Sequence, residues 1–284
     1  PGSPFINDDE SVAAQKQFEQ LEEKYGLNKP LLVQYGIYMK DLLHADLGES
    51  MIKKGRTVLD IIATTAPVTM RLGLTAFVFS MVVGIGLGIV AALSKKRLVN
   101  NFVMLLSTIG VSVPNFLLAV FLMLVFGVGL QIFPTVGLKT PLHYVLPTIA
   151  VSLHPIAMIS RLTRTSMMEV MRQDYMVLAK SKGTGKLMVI LKHGLRNALL
   201  PVVTYAGPLI ASLLTGSFVV ETLFSIPGIG SEFVSSVTNR DYTLIMGLTI
   251  FMGFLVIVMS LVSDLVAAMV DPRIKLDKGE GERR

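Results

Sequence analysis

MEVMRQDYMVLAKSKGTGKLMVILKHGLRNALLP, residues 168–201, decides how the rest of the chain is read. It carries Arg172, Lys180, Lys182, Lys186, Lys192 and Arg196, and it lies between two runs, 141–160 and 197–220, that hold no Lys, Arg, Asp or Glu. A basic loop of this length between two membrane-grade stretches is suited to passing mechanical work to a soluble partner on its side of a membrane.

The composition places the chain in the polytopic membrane class. Its 284 residues are 52% hydrophobic and 16% charged, and the mean hydropathy is +0.62. Charge-free runs at 72–94, 98–138 and 242–263 join the two above. Each meets or exceeds the roughly 20 residues that a helix needs to cross the hydrocarbon core. An all-α membrane protein with five visible spans is predicted. The run from Leu98 is about twice the length of one span, and Gln131-Ile132-Phe133-Pro134-Thr135-Val136-Gly137 reads as a turn that leaves one helix and an external loop.

Basic residues resist translocation and collect at the cytoplasmic ends of spans. Lys95, Lys96 and Arg97 mark one inside loop, Arg161, Arg164 and the basic residues of 168–201 mark a second, and Arg273, Lys275, Lys278, Arg283 and Arg284 mark the tail. The connection after Leu130 has only Lys139, and the one after Val220 sets Glu221, Glu232 and Asp241 against Arg240. This alternation puts the carboxy terminus in the cytoplasm and Pro1 outside. An external amino terminus needs a span ahead of it, so a first span upstream of this sequence is expected. The net charge of +6 follows largely from the inside-loop bias and calls for no nucleic acid. With no cysteine, disulfides and thiolate chemistry are excluded.

Three regions follow. Residues 1–60 form an external segment, with an amphipathic helix on Phe18, Leu21 and Tyr25 and a second helix at Leu31 to Leu43; it serves as a cap or as a linker. Residues 61–270 form the transmembrane part, including a cytoplasmic loop at 164–196, and 271–284 are the tail. Gly84 and Gly88 make a small-xxx-small face for close helix packing rather than a dinucleotide loop. Pro67, Pro114, Pro147, Pro155 and Pro208 lie in or beside spans, as in helices broken around a cavity.

The basic loop divides at Gly183-Thr184-Gly185. Met167, Met171, Tyr175 and Leu178 before it, and Leu187, Ile190, Leu191 and Gly194 after it, repeat at helical spacing. The expectation is two amphipathic helices joined by a glycine bend, lying either on anionic lipid or against a partner. A phosphate-binding loop is excluded, because Lys180 and Leu187 stand where that motif needs Gly and Ser or Thr. His154 is expected to pack on a neighbouring carbonyl rather than line a pathway, Asp264 to serve a helix end, and Glu221 to fix an external loop. No carboxylate pair, nucleophile with base, or metal cluster is visible, so the chain is not expected to be an enzyme or to hold a cofactor.

YMVLAKSKG at 175–183 followed by LKHGLRNALLPVV at 191–203 resembles the cytoplasmic coupling loop of ABC importer permeases of the peptide and nickel family. PGSPF at the start and YGLNKPLLVQY at 25–35 resemble that family's external segment, and ETLFSIPGIG, TNRDYTLIMG and DPRIK resemble its last external loop and tail. The likeness runs end to end and is nearest to the first permease of oligopeptide importers. It implies a bacterial inner-membrane subunit with six membrane helices, working with a second homologous permease, two cytoplasmic ATPases that hold ATP and Mg²⁺, and an external binding lipoprotein that delivers peptide. It also implies that Asp174, Ala179, Lys180, Lys182, Gly183, Thr184, Gly185, Lys186, Leu187 and Ile190 face the ATPase. The family's Glu-Ala-Ala pattern is replaced here by Val177, Leu178 and Ala179, which leaves Asp174, Lys180 and Lys182 as candidates for the polar contact. A nickel or other small-solute importer is the alternative cargo, and a secondary transporter the alternative class.

Overall fold

The computed structural model describes residues 28–181, 183, 185 and 188–270. The expected helix around Phe18 to Tyr25, Lys182, Thr184, Lys186, Leu187, the side chain of Lys180 and the tail from Asp271 lie outside the described residues. The elements are α1 (Leu31–Leu43), α2 (Val58–Leu93), α3 (Arg97–Ser112), α4 (Asn115–Leu122), α5 (Val145–Val170), α6 (Asp174–Ser181), α7 (Arg196–Ala198), α8 (Leu200–Leu214), α9 (Phe218–Leu223), α10 (Ile229–Thr238) and α11 (Tyr242–Val270). Wide π-type turns at Met123–Gly129 and Val189–Leu195 extend α4 and precede α7. Among the described residues the only β pairing is an isolated bridge between Glu49 and Thr57.

Three segments are long and apolar enough to cross a membrane alone: Val58–Leu93, Pro141–Val170 and Tyr242–Val266. Counting each bent pair as one span, Arg97–Ser112 with Asn115–Gly129 at 106° and Val189–Ala198 with Leu200–Leu214 at 49°, brings the number to five. The expectation of one continuous helix from Leu98 is therefore corrected. Pro114 has no N–H to donate, and it forces Val113 before it into extended backbone (φ −86°, ψ 122°), so the helix stops there and restarts in a new direction.

Helix α2 starts well before its charge-free run. The Thr57 hydroxyl accepts from the Asp60 amide at 3.1 Å while the Asp60 carboxylate accepts from the Thr57 amide at 3.2 Å, a reciprocal cap that fixes the first turn. Its 36 residues reach about 54 Å at 1.5 Å per residue, longer than the roughly 30 Å hydrocarbon core. Small residues (Ala76, Ser80, Gly84, Gly88, Ala91) line its buried side and larger ones (Leu74, Val78, Phe79, Val82, Val90) face out, the inverse of a water-soluble helix and typical of one packed in lipid.

That buried stripe lies against α5. The Ser152 hydroxyl donates to the Ala76 carbonyl, a Cβ on Gly84 would come 2.8 Å from Ile159, and one on Gly88 would come 2.5 Å from Thr163. Gly86 has open space around it, so the close approach needs the Gly84 and Gly88 face alone, as the sequence pattern predicted. Since 76 pairs with 152 and 88 with 163, α2 and α5 run parallel. Their carboxy ends bring Lys95 to Arg97 and the loop after Val170 to one end of the molecule, an arrangement that the Arg164 to Asn100 hydrogen bond of 2.7 Å joins.

Among the described residues the buried acids, Glu221 and Asp241, lie at the opposite end. Asp241 is almost fully buried at the start of α11 and accepts from the Leu244 amide, the Ser50 hydroxyl and the Met51 amide, the last at 3.1 Å. Lys53 pairs with Glu232 at 2.5 Å. These contacts hold the segment after α1 onto the α10–α11 corner, above a core of Val58, Ile61, Ile62, Ile229, Leu244 and Leu248.

Candidate functional site

Helix α5 ends at Val170, and a tight turn follows in which the Gln173 amide donates to the Val170 carbonyl. Asp174 then opens α6, where its carboxylate suits the positive end of the helix dipole. Gly183 has φ +78° with nothing within 4 Å of where a Cβ would stand. Glycine is needed there for backbone conformation, not for space. The chain returns through the wide turn at Val189–Leu195 and α7 into α8.

The interior of this bent pair is built from sulfur and glycine. Met167, Met176, Val189 and Ala198 are fully buried, and a Cβ on Gly194 would sit 3.2 Å from the Met167 methyl and 3.4 Å from the Met176 methyl. Methionine fills such a gap well because its side chain is unbranched and adaptable. Asn197 ties the two arms, its amide donating to the Tyr175 hydroxyl at 3.2 Å and to the His193 carbonyl at 3.1 Å.

The faces differ from those read off the sequence. Met167, Met171, Tyr175 and Leu178 were expected to share one apolar face; within the chain Met167 is buried together with Met176, while Tyr175 and Leu178 are exposed. The turn at Arg172 and Gln173 interrupts the helix, so helical spacing does not carry across it. In the second arm Val189 and Gly194, five residues apart, are the buried pair, because a π-type turn aligns i with i+5. Leu191 is left exposed and Ile190 half-buried. The outward surface therefore carries Tyr175, Val177, Leu178, Met188 and Leu191, flanked by Arg172, Lys192 and Arg196. Of the predicted contact residues, Asp174, Gly183 and Gly185 are exposed and Ala179 and Ile190 are half-buried.

Two further residues are placed by the structure. Glu221 is fully buried and accepts from the Thr69 hydroxyl at 3.0 Å and the Gly230 amide at 2.8 Å. It thereby fastens α9 to α2 and to the first turn of α10, the loop-fixing role expected of it. His154 does not follow its expectation. Among the described residues no backbone carbonyl accepts from it, and it lines a cleft of about 400 Å³ between α4, α5 and α8. Sequence reasoning missed this cleft, although its prolines were visible.

Residues 84–276 match the family described as binding-protein-dependent transport system inner membrane component. The chain belongs to that family. Its relatives among these transport components include the dipeptide transport system permease protein DppB of Bacillus subtilis, 45% identical over 98% of this chain and 90% of that protein. The oligopeptide transport system permease protein OppB of Salmonella typhimurium is 39% identical over 97% and 90%. A solved structure of the inward-facing MetNI methionine ABC transporter superposes with a TM-score of 0.62, covering 75% of this chain and 97% of that chain at 16% identity. An amino acid ABC transporter structure superposes at 0.55. These two place the chain in the ABC importer permease fold, while the family match and the apolar helices make it a multi-pass inner-membrane component.

Proposed function

We propose that this chain is one of two membrane permeases in an ATP-driven importer of oligopeptides. The observation that carries this reading is nearly full-length identity of 45% and 39% to permeases named for dipeptide and oligopeptide transport. Those relatives favour peptide over nickel. The charge-free spans offer few of the intramembrane ion or proton sites that a secondary transporter needs.

In this reading the basic end, with the tail, faces the cytoplasm, and the outward surface of α6 and the following arm seats on an ATPase subunit. Two such subunits hold ATP and Mg²⁺ and perform the hydrolysis. This chain supplies no catalytic group and binds no cofactor. A second homologous permease completes the path, an external binding lipoprotein delivers the peptide at the end where Glu221 and Asp241 lie, and the large apolar faces of α2 and α11 meet lipid. Coupling works because the arms are stiff. Burial of a Met side chain contributes up to about 3 kcal/mol, and Met167 and Met176 converge on Gly194, so a push on α6 moves the foot of α5 and the entry to α8 together instead of dissipating in a loop.

Cysteine crosslinking in the assembled importer tests this placement. Tyr175→Cys or Leu178→Cys should bridge to single cysteines in the ATPase surface, and the bridge should arrest peptide uptake. Absence of any bridge, with both positions open to impermeant reagents throughout turnover, would leave the loop as a lipid-surface feature.

A further inference from the structure

The cleft that holds His154 lies where three interrupted helices converge. Asn115 stands at the break between α3 and α4, Pro155 lies inside α5, and Pro208 lies inside α8; all three line the cleft. A proline within a helix removes one backbone donor, so Pro155 leaves the Val151 carbonyl, on a residue that also lines the cleft, without its usual partner. At membrane depth such backbone is tolerated where it borders a cavity or is satisfied by other groups, and discontinuous helices of transporters are a recurring place for substrate sites.

The side chains around the cleft share one chemistry. Asn115, His154, Tyr205, Ser212 and Ser217 each offer a hydrogen-bond donor and an acceptor, and no Asp, Glu, Lys or Arg lines the wall. The volume of about 400 Å³ falls within the roughly 300–1,000 Å³ of small-molecule clefts. From Tyr205 to Leu213 the wall follows α8 for about 12 Å at 1.5 Å per residue, and Gly216 and Ser217 carry it on toward the end where Glu221 and Asp241 lie.

We propose that this cleft is a transit subsite that engages the main-chain amides of the passing peptide through neutral hydrogen-bonding side chains. The inference rests on the reading of the chain as a peptide permease and adds the location and chemistry of the contact. A main-chain amide carries one donor and one acceptor, which amphoteric groups can meet in either direction. Neutral walls impose no preference for a charged side chain, and dispersed single hydrogen bonds release the solute readily. Because α5 also carries Met167 at its foot, movement of the cytoplasmic arms reaches the wall that holds His154.

The test uses the whole importer in lipid vesicles with its ATPases and binding protein. The chain contains no cysteine, so Ser212→Cys and Ser217→Cys give single thiols in the cleft, with Lys139→Cys on the exposed connection before α5 as the reference. Alkylation by a small maleimide is timed during ATP turnover with and without a transported tripeptide. The expected result is a several-fold slowing at the cleft positions by peptide, lost when the peptide is N-methylated along its main chain, with no slowing at the reference. Uptake of peptide with unaltered alkylation at both cleft positions overturns the inference and leaves the permease reading intact. Cleft thiols that resist alkylation and crosslink to the second permease overturn it too, making the cleft a subunit interface. Failure of the unmodified complex to take up any peptide, while moving another solute, removes the underlying reading instead.

Discussion

Met176 and Gly194 meet inside the cytoplasmic connection, the Met176 methyl lying 3.4 Å from where a Cβ on Gly194 would stand. The contact joins the two arms across the glycine bend, and it makes the connection a single body rather than two helices free to slide. Gly194→Ala should be tolerated, since the flexible ends of the methionines can give way by a few tenths of an ångström. Gly194→Leu should cost about 1–3 kcal/mol by overpacking and depress peptide-stimulated ATP hydrolysis more than assembly. Equal hydrolysis in the two variants would show that the arms need not be locked together.

Gly183 makes a separable demand, because it is open on all sides but has φ +78°. Asn visits that conformation readily, whereas a β-branched residue there costs about 1–2 kcal/mol and Pro cannot adopt it. Gly183→Asn should therefore retain uptake, while Gly183→Val and Gly183→Pro should lower it with the complex still assembled. A loss in the Asn variant as large as in the Val variant would point to a contact made by the glycine itself.

The α2–α5 seam gives an internal control. Gly88→Leu should destabilise the permease in detergent by several degrees or prevent its assembly, because a Cβ there already falls 2.5 Å from Thr163, whereas Gly86→Leu, with open space around it, should be near neutral. Thermal unfolding followed by fluorescence-detected size exclusion separates the two. Similar melting temperatures would contradict the parallel packing of these helices.

Much of this was legible in the sequence, and where it was not the reason is local. The α1 helix at Leu31 to Leu43 and the Gly84 and Gly88 face follow from breakers and small-residue spacing, which act within one element. Buried faces of the coupling arms did not follow, since the turn at Arg172 and the π-type turn at Val189–Leu195 reset the helical period. Pro114 was visible as a proline in or beside a span, but the charge-free run on both sides of it gave no sign that one helix stops and another starts there, so hydropathy alone joined what backbone geometry separates. Asp241 reads in sequence as one more loop charge. Its grip on Ser50 and Met51 spans some 190 positions, and nothing in either segment announces the other.

Asp241 also yields a prediction for the opposite end of the molecule. Asp241→Ala leaves the buried Met51 amide and Ser50 hydroxyl unpaired and should destabilise their segment by about 1–3 kcal/mol per group. Limited proteolysis between Gly48 and Arg56 should accelerate in the variant, with Asp241→Asn intermediate. Unchanged cleavage would mean that Lys53 with Glu232 and the bridge from Glu49 to Thr57 hold the segment unaided.

Orientation can be read with single cysteines. Positions Lys96 and Lys192, at the basic end, should label with an impermeant maleimide only after the cells are opened, and Lys139 and Glu49 should label in intact cells. Labelling of Lys192→Cys in intact cells would invert the topology.

Uptake by reconstituted vesicles bears most directly on the central claim. Vesicles holding this chain, its permease partner and the ATPases should accumulate labelled oligopeptide only when ATP and the external binding protein are both supplied, and this chain alone should hydrolyse no ATP. Accumulation driven by an ion gradient without ATP, or transport of a nickel chelate with no peptide, would contradict the account.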